Sequence, residues 1–214
     1  MKVKALIASL FLPATLLWGS DTKPVPKLPP ATHAKTYPAH ESHDDERVTV
    51  AIDPFDVPEK AAVFRVNYKQ IGLLPIRLII SNDGDNIVTL NELKILYITV
   101  KRDKIEPAAT DDIYRRLAKA DARADKPRVQ PPVPRKTKPA VSKEAVEEIE
   151  TLQLLILPVA AHSTNSGFLF FDISGIDTPE AGAHVYVTGL KMDGKELFYF
   201  DIPLEKYLSY RRGK

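Results

Sequence analysis

The segment Gly167-Phe-Leu-Phe-Phe-Asp-Ile173 is apolar at consecutive positions, and Ile76 to Ser81 is as dense in Ile and Leu. A strand sends successive side chains to opposite faces, so strands of this kind need cover on both sides. Shorter pieces of strand character surround them. Val48, Val50 and Ile52 alternate with Arg47, Thr49 and Ala51, the pattern of a half-buried strand. Ala62 to Tyr68, Ile87 to Leu90, Leu93 to Val100, Leu152 to Leu157 and Ala183 to Leu190 read as further strands. Glu196 to Ile202 returns from a hairpin turn at Met192-Asp-Gly-Lys195. Asn82-Asp-Gly-Asp-Asn86 is a second turn signal, because Asp-Gly accepts positive φ at low cost. About nine short strands with frequent turns predict an antiparallel β-sandwich. Strands do not alternate with helices, which disfavours a parallel α/β sheet.

An insertion at 107–150 breaks the β pattern. Thr110 is placed to cap a helix, Asp111 and Asp112 suit its positive end, and Arg115, Arg116 and Lys119 follow. Its narrow stripe of Ile113, Leu117 and Ala120 predicts a helix that leans on a sheet edge or barrel end. Residues 121–142 read as a flexible loop in which Pro127, Pro131, Pro132, Pro134 and Pro139 alternate with Lys126, Arg128, Arg135, Lys136 and Lys138. Ser142 to Glu150 reads as a short helix with Val146 and Ile149 inward, and Leu204 to Tyr210 as a short terminal helix after Pro203.

The first twenty residues read as an export signal. Lys2 and Lys4 precede an uncharged apolar stretch from Ala5 to Trp18, and Gly19 and Ser20 are small enough for a peptidase site. The apolar stretch is shorter than the roughly 18–20 residues of a spanning helix, which favours removal over anchoring. The chain carries 30 basic and 28 acidic residues, a formal charge of +2. Loss of Lys2 and Lys4 leaves the remainder neutral, with no general pull toward nucleic acid. Residues 21–45 follow as a Pro-rich flexible tether, and a single folded domain is expected over 46–210. With no cysteine, disulfides, thiolate metal sites and cysteine nucleophiles are excluded.

Two segments carry a family likeness: Pro75-Ile-Arg-Leu-Ile-Ile-Ser-Asn-Asp-Gly-Asp85 with Val88-Thr-Leu90, and Ala161-His-Ser-Thr-Asn-Ser-Gly-Phe-Leu-Phe-Phe-Asp172. Together they resemble the immunoglobulin-like β-sandwich modules of uncharacterised exported bacterial proteins. The ending Glu196-Leu-Phe-Tyr-Phe-Asp-Ile-Pro-Leu-Glu-Lys-Tyr207 shares the likeness. The resemblance covers roughly 47–105 and 152–208 by strand patterning. It implies an immunoglobulin-like antiparallel β-sandwich with an inserted helix and a basic Pro-rich loop. The implied location is periplasmic or on the surface of a bacterium. The family supplies no catalytic residues.

Chemistry-bearing patterns are sparse. There is no Gly-x-Ser-x-Gly elbow, and His162-Ser163 reads as part of a polar turn over Ala160 to Ser166. Nine glycines form no phosphate cradle. His33, His40 and His43 with Asp44, Asp45 and Glu46 offer metal-ligand types, but on a flexible tether that leaves them unorganised. Asp83, Asp85 and Asn86 offer oxygens without the spacing of a calcium loop. Asp172, Asp177 and Glu180 read as solvated strand-end and loop residues, and the aromatic stretches 168–171 and 197–200 as core. The feature left with a functional reading is the basic loop: Lys126, Arg128, Arg135, Lys136 and Lys138 are placed to contact an envelope protein or an anionic envelope surface. The expected protein is thus a non-enzymatic exported binding or assembly module without a cofactor, its sheet edges offering strand addition to partners. The alternative is an envelope hydrolase or an accessory subunit of an envelope enzyme.

Overall fold

A computed structural model describes residues 30–124 and 141–213. The expected signal segment, the start of the tether and the five loop cations Lys126, Arg128, Arg135, Lys136 and Lys138 lie outside the described residues. Among the described residues the fold is mainly β, with three antiparallel sheets and four helices. One sheet places β1 (Ala39–His43), β2 (Val48–Pro54), β3 (Leu73–Asn82) and β7 (Ser163–Asp172) side by side in that order. The second runs β11 (Phe200–Pro203), β8 (His184–Thr188), β5 (Lys94–Ile98), β6 (Lys104–Ile105). A small third sheet joins β4 (Val88–Thr89), β9 (Lys191–Met192) and β10 (Lys195–Glu196). The helices are α1 (Pro58–Ala61), α2 (Thr110–Ala124), α3 (Lys143–Leu152) and α4 (Glu205–Arg212). No described helix is long and apolar enough to cross a membrane.

The doubly apolar strands have their cover. All ten residues of β3 are buried. Leu74, Ile76, Leu78 and Ile80 enter the main core, where they meet Ile95 and Tyr97 of β5, Val185 and Val187 of β8, and Phe200 and Ile202 of β11. The other face of the first sheet has two covers. At one end Leu73, Phe168 and Phe170 pack with Tyr68, Ile113, Leu117, Ile149 and Leu152. At the other, Ile79 packs with Ala34 and Ala51. The Phe-Leu-Phe-Phe run is thereby divided: Phe168 and Phe170 meet the inserted helices, Leu169 and Phe171 the main core. Each large side chain so buried contributes about 1.5–3 kcal/mol. The inserted helices therefore cover a sheet face; they do not lean on an edge.

Several expected elements take other forms. Part of the expected tether belongs to the folded domain: Ala34–Thr36 is a turn of 3-10 helix with Ala34 wholly buried, and β1 pairs along β2. Ala62 to Tyr68 is no strand: the amides of Ala62, Val63, Phe64 and Tyr68 make local backbone bonds, and those of Arg65 and Val66 donate to the Glu148 carboxylate, in place of a ladder. Leu152 to Leu157 is no core strand either. Leu152 ends α3, Leu154 donates to the Phe168 carbonyl at 3.0 Å, and Leu155, Ile156 and Leu157 are exposed. Gly167 permits this crossing, since a Cβ there would lie 2.3 Å from the Leu154 Cα. Ser163 to Ser166 pair with β3 as strand; the turn sits before them, with His162 at φ 52.

The hairpin at Asp193-Gly194 has positive φ at both residues, as expected of Asp-Gly. Asp83-Gly84 does not. There the Asn82 side chain holds the turn, accepting from Gly84 N and donating to the carbonyls of Asn86, Val159 and Ala160. The return strand is interrupted, and Phe198 and Tyr199 are exposed where core burial was expected. Thr110 is already helical, and its hydroxyl donates to Gln153 Oε1 at 3.0 Å. Ser142 caps α3, accepting from Ala145 N; Val146, expected inward, is half-buried and Glu148 is wholly buried.

Two of the sheet edges, β7 and β11, are partly covered. On β7 the Phe170 carbonyl receives Ala108 N at 2.7 Å, two residues from the Leu154 contact at Phe168. On β11 the amide of Asp201 donates to the Glu41 carboxylate, and just before it Phe198 N donates to Glu46 at 2.9 Å. His43 stacks on Phe200 with ring centroids 4.0 Å apart. Side chains of β1 and its turn thus satisfy backbone groups that strand addition at β11 would need.

Candidate ligand cavity

Between β2 and β3 the chain cannot stay extended. Pro58 sits in the first turn of α1, where its missing N–H costs nothing. Beyond α1, Arg65 N, Val66 N and the Tyr68 hydroxyl all donate to the Glu148 carboxylate, at 2.6, 3.3 and 3.0 Å. Burial, reinforced by the Glu148 charge, pushes the Tyr68 phenol well above its ordinary range. Gly72, at φ 76, then turns the chain into β3.

The opposite wall follows β7. Arg116 of α2 pairs with Asp172, and that contact chiefly holds the Asp172 carboxyl down at about 2. Ile173 N donates to Gly72 O at 3.0 Å, which ties the two walls together. Further on, the Tyr97 hydroxyl donates to the Pro179 carbonyl. Tyr97 is a fully buried core residue of β5, so this bond fixes the position of the next residue, Glu180, from the centre of the domain. α4 supplies the third side. Asp56 accepts from the Tyr207 hydroxyl and from the Arg211 guanidinium.

These three segments enclose a cavity of about 730 Å³, within the range of small-molecule sites. Phe55, Phe64, Tyr68, Leu74, Pro75 and Ile173 form much of its apolar lining, and Asp56, Asp177, Glu180, Arg65, Lys69 and Arg211 its charged part. Glu180 is the unusual member. It is 8% exposed. Only its own backbone amide donates to the carboxylate, which receives nothing from any other described residue. Burial raises its pKa, the nearby Asp56 charge adds to this, and Arg211 and Lys69 partly oppose it. A carboxyl so placed can pair with a cation, or hold a proton and donate it.

The other candidate residues lie apart from the cavity. His33 pairs with Asp83 at 2.9 Å, His40 with the Tyr37 carbonyl at 2.6 Å and His43 with Glu46 at 3.1 Å. Asp85 pairs with both Arg47 and His162, each at 3.0 Å, and Asn86 donates to Asp193. Among the described residues no three His, Asp or Glu converge as a metal group. Ser163 donates to the Ala160 carbonyl, so His162 and Ser163 do not act on each other. Arg211 and Arg212 of α4 pair with Asp56 and Glu205.

Sequence reasoning took Glu180 for a solvated loop residue and did not single out Asp56. No local signal marks either. The burial of Glu180 depends on Tyr97, 83 positions upstream of it in the numbering, and on a loop shaped by Glu148 of the insertion. Two exposed apolar features were also hidden: Leu155-Ile-Leu157, and Phe198 with Tyr199, whose rings lie 5.0 Å apart with Tyr186 a further 5.0 Å from Tyr199. No protein-family model, curated protein or solved structure matches this chain.

Proposed function

We propose that the chain is a non-enzymatic, exported binding module of the cell envelope, and that the cavity at Glu180 is its ligand site. The observation that carries this reading is Glu180 itself. An ionisable group held largely out of bulk water, with no bond from another described residue, costs folding free energy. Such costs concentrate where a ligand uses the group. Export rests on the character of residues 1–20.

An immunoglobulin-like sandwich accompanies this proposal. The order β2-β3-β7 against β11-β8-β5-β6 parallels strands A-B-E against G-F-C-C′ of that fold, with α2 and α3 standing in the stretch of chain where strand D would run. The binding reading is tested by ligand capture. The purified protein is incubated with native envelope extract, dialysed and denatured, and released small molecules are identified by mass spectrometry. A molecule enriched on the wild type and absent from an Ala61→Trp variant, whose new side chain fills the cavity, is the expected result. Equal recovery from both, with the variant folded by circular dichroism, removes the cavity from the function.

One observation favours a second reading, an envelope hydrolase. Asp56, Asp177 and Glu180 share the cavity, and glycoside hydrolysis uses a raised carboxyl as acid beside an ionised one. Turnover of chromogenic glycosides that is lost in Glu180→Gln would replace the binding reading with this one.

A further inference from the structure

We infer that the cavity selects an organic cation, a protonated amine or quaternary ammonium group on an apolar body. This rests on the cavity being a ligand site and adds the class of ligand.

Three observations lead there. The first is the carboxylate. Glu180 is more than nine-tenths buried, faces the cavity and accepts nothing from any other described residue. No cation among the described residues bonds to that carboxylate. Arg211, itself paired with Asp56, and Lys69 oppose its charge only in part. A ligand cation would supply the missing charge, and the low surrounding polarity would strengthen the pair.

The second is the aromatic lining. Phe55, Phe64 and Tyr68 line the same space, with ring centroids 5.5 Å apart for Phe55 and Phe64 and 5.1 Å for Phe64 and Tyr68. Aromatic faces carry negative potential and attract ammonium groups, most strongly where water is excluded. Rings beside a buried carboxylate favour a cation over an anion of the same size.

The third is that Phe55, which lines the cavity, already takes part in such a contact outside the lining. The Lys60 ammonium lies 4.5 Å from the Tyr207 ring centroid and 5.3 Å from that of Phe55. It is anchored there by Asp53 and by the Pro54 carbonyl at 2.9 Å. This is a carboxylate, an aromatic face and an ammonium together. The cavity has the first two kinds of group, Glu180 and the aromatic rings, in one lining. Its volume of about 730 Å³ admits an organic body as well as the charged head.

The test compares four probes of equal chain length by isothermal titration calorimetry at pH 7: hexyltrimethylammonium, hexylammonium, hexanoate and hexanol. The two cations are expected to bind the wild-type protein at least tenfold more tightly than hexanol, with hexanoate weakest. Glu180→Gln should lose that preference while keeping its affinity for hexanol. Phe64→Leu should weaken the quaternary probe more than the alcohol. Equal binding of cation and alcohol, or preference for hexanoate, overturns the charge selectivity and leaves the cavity as a ligand site. No binding by any probe, in wild type and variants alike, overturns the cation assignment. Failure of ligand capture from envelope extract as well would remove the binding reading.

Discussion

Replacing Glu148 tests whether one buried side chain of the insertion holds the cavity together. The carboxylate accepts three hydrogen bonds, from Arg65 N at 2.6 Å, Val66 N at 3.3 Å and the Tyr68 hydroxyl at 3.0 Å, and is wholly buried. In Glu148→Gln the single carbonyl oxygen can serve one side of this set. The amide nitrogen must then face a donor, with Arg65 N the strongest contact at risk. A buried donor left without an acceptor costs about 1–3 kcal/mol. Relief from burying a charge offsets part of this, so a loss of about 2 kcal/mol is expected. Glu148→Ala removes all three acceptor contacts, and a loss of about 3–5 kcal/mol follows by analogy with a broken buried charge contact. For a domain of this size these losses lower Tm by about 2–4 °C per kcal/mol. Urea denaturation followed by circular dichroism measures them, with an unchanged slope confirming an unchanged folded surface. Losses below about 1 kcal/mol for both variants would refute the argument that Glu148 organises the turn.

Three further outcomes follow from the structure. Gly167→Ala places a Cβ 2.3 Å from the Leu154 Cα, so the crossing chain must move; loss of one hydrogen bond and of Leu154 burial costs roughly 2–4 kcal/mol by denaturant titration, and a neutral result would show that the crossing is loose. Glu180 binds its proton more tightly when folded, so its contribution to stability is fullest below the usual 4.5 and is lost as pH rises through its raised value; Glu180→Gln should therefore have a higher Tm than wild type at pH 7 and lose that advantage below pH 4.5, and an unchanged difference across this range would contradict the burial argument. Replacing Lys126, Arg128, Arg135, Lys136 and Lys138 by Ser should weaken co-sedimentation with anionic liposomes at low salt, and equal co-sedimentation would end the surface-docking reading of that loop.

What the sequence made legible was whatever depends on near neighbours. The two-sided burial of Ile76 to Ser81 and of Phe168 to Phe171 follows from an apolar run that no single face can absorb. The Asp193-Gly194 hairpin and the short helix after Ser142 follow from residue chemistry close in sequence. The misreadings share another cause. Ala62 to Tyr68 and Leu152 to Leu157 are apolar enough for strands, but tertiary partners decide their backbone: the Glu148 carboxylate in one case and the Gly167 gap in the other. The turn at Asn82 was found for the wrong reason, since a side-chain amide and not positive φ shapes it. The cavity was illegible because its walls come from three separated segments, and its decisive residue is ordinary in sequence and unusual only in its surroundings.

The insertion begins and ends at one place. Ala108 N bonds to Phe170 O and Leu154 N to Phe168 O, so chain leaving the sheet and chain returning to it dock on the same strand two residues apart. The intervening polypeptide is a closed excursion whose length the sheet does not feel. Lengthening a loop costs little closure entropy, about 0.6 kcal/mol for each doubling of its length. The two helices are bound more strictly, because Ile113, Leu117, Ile149 and Leu152 cover one sheet face and Glu148 shapes a neighbouring turn. Natural variation should therefore accumulate between α2 and α3, where a tag, a cleavage site or a second domain could be spliced without disturbing strand register.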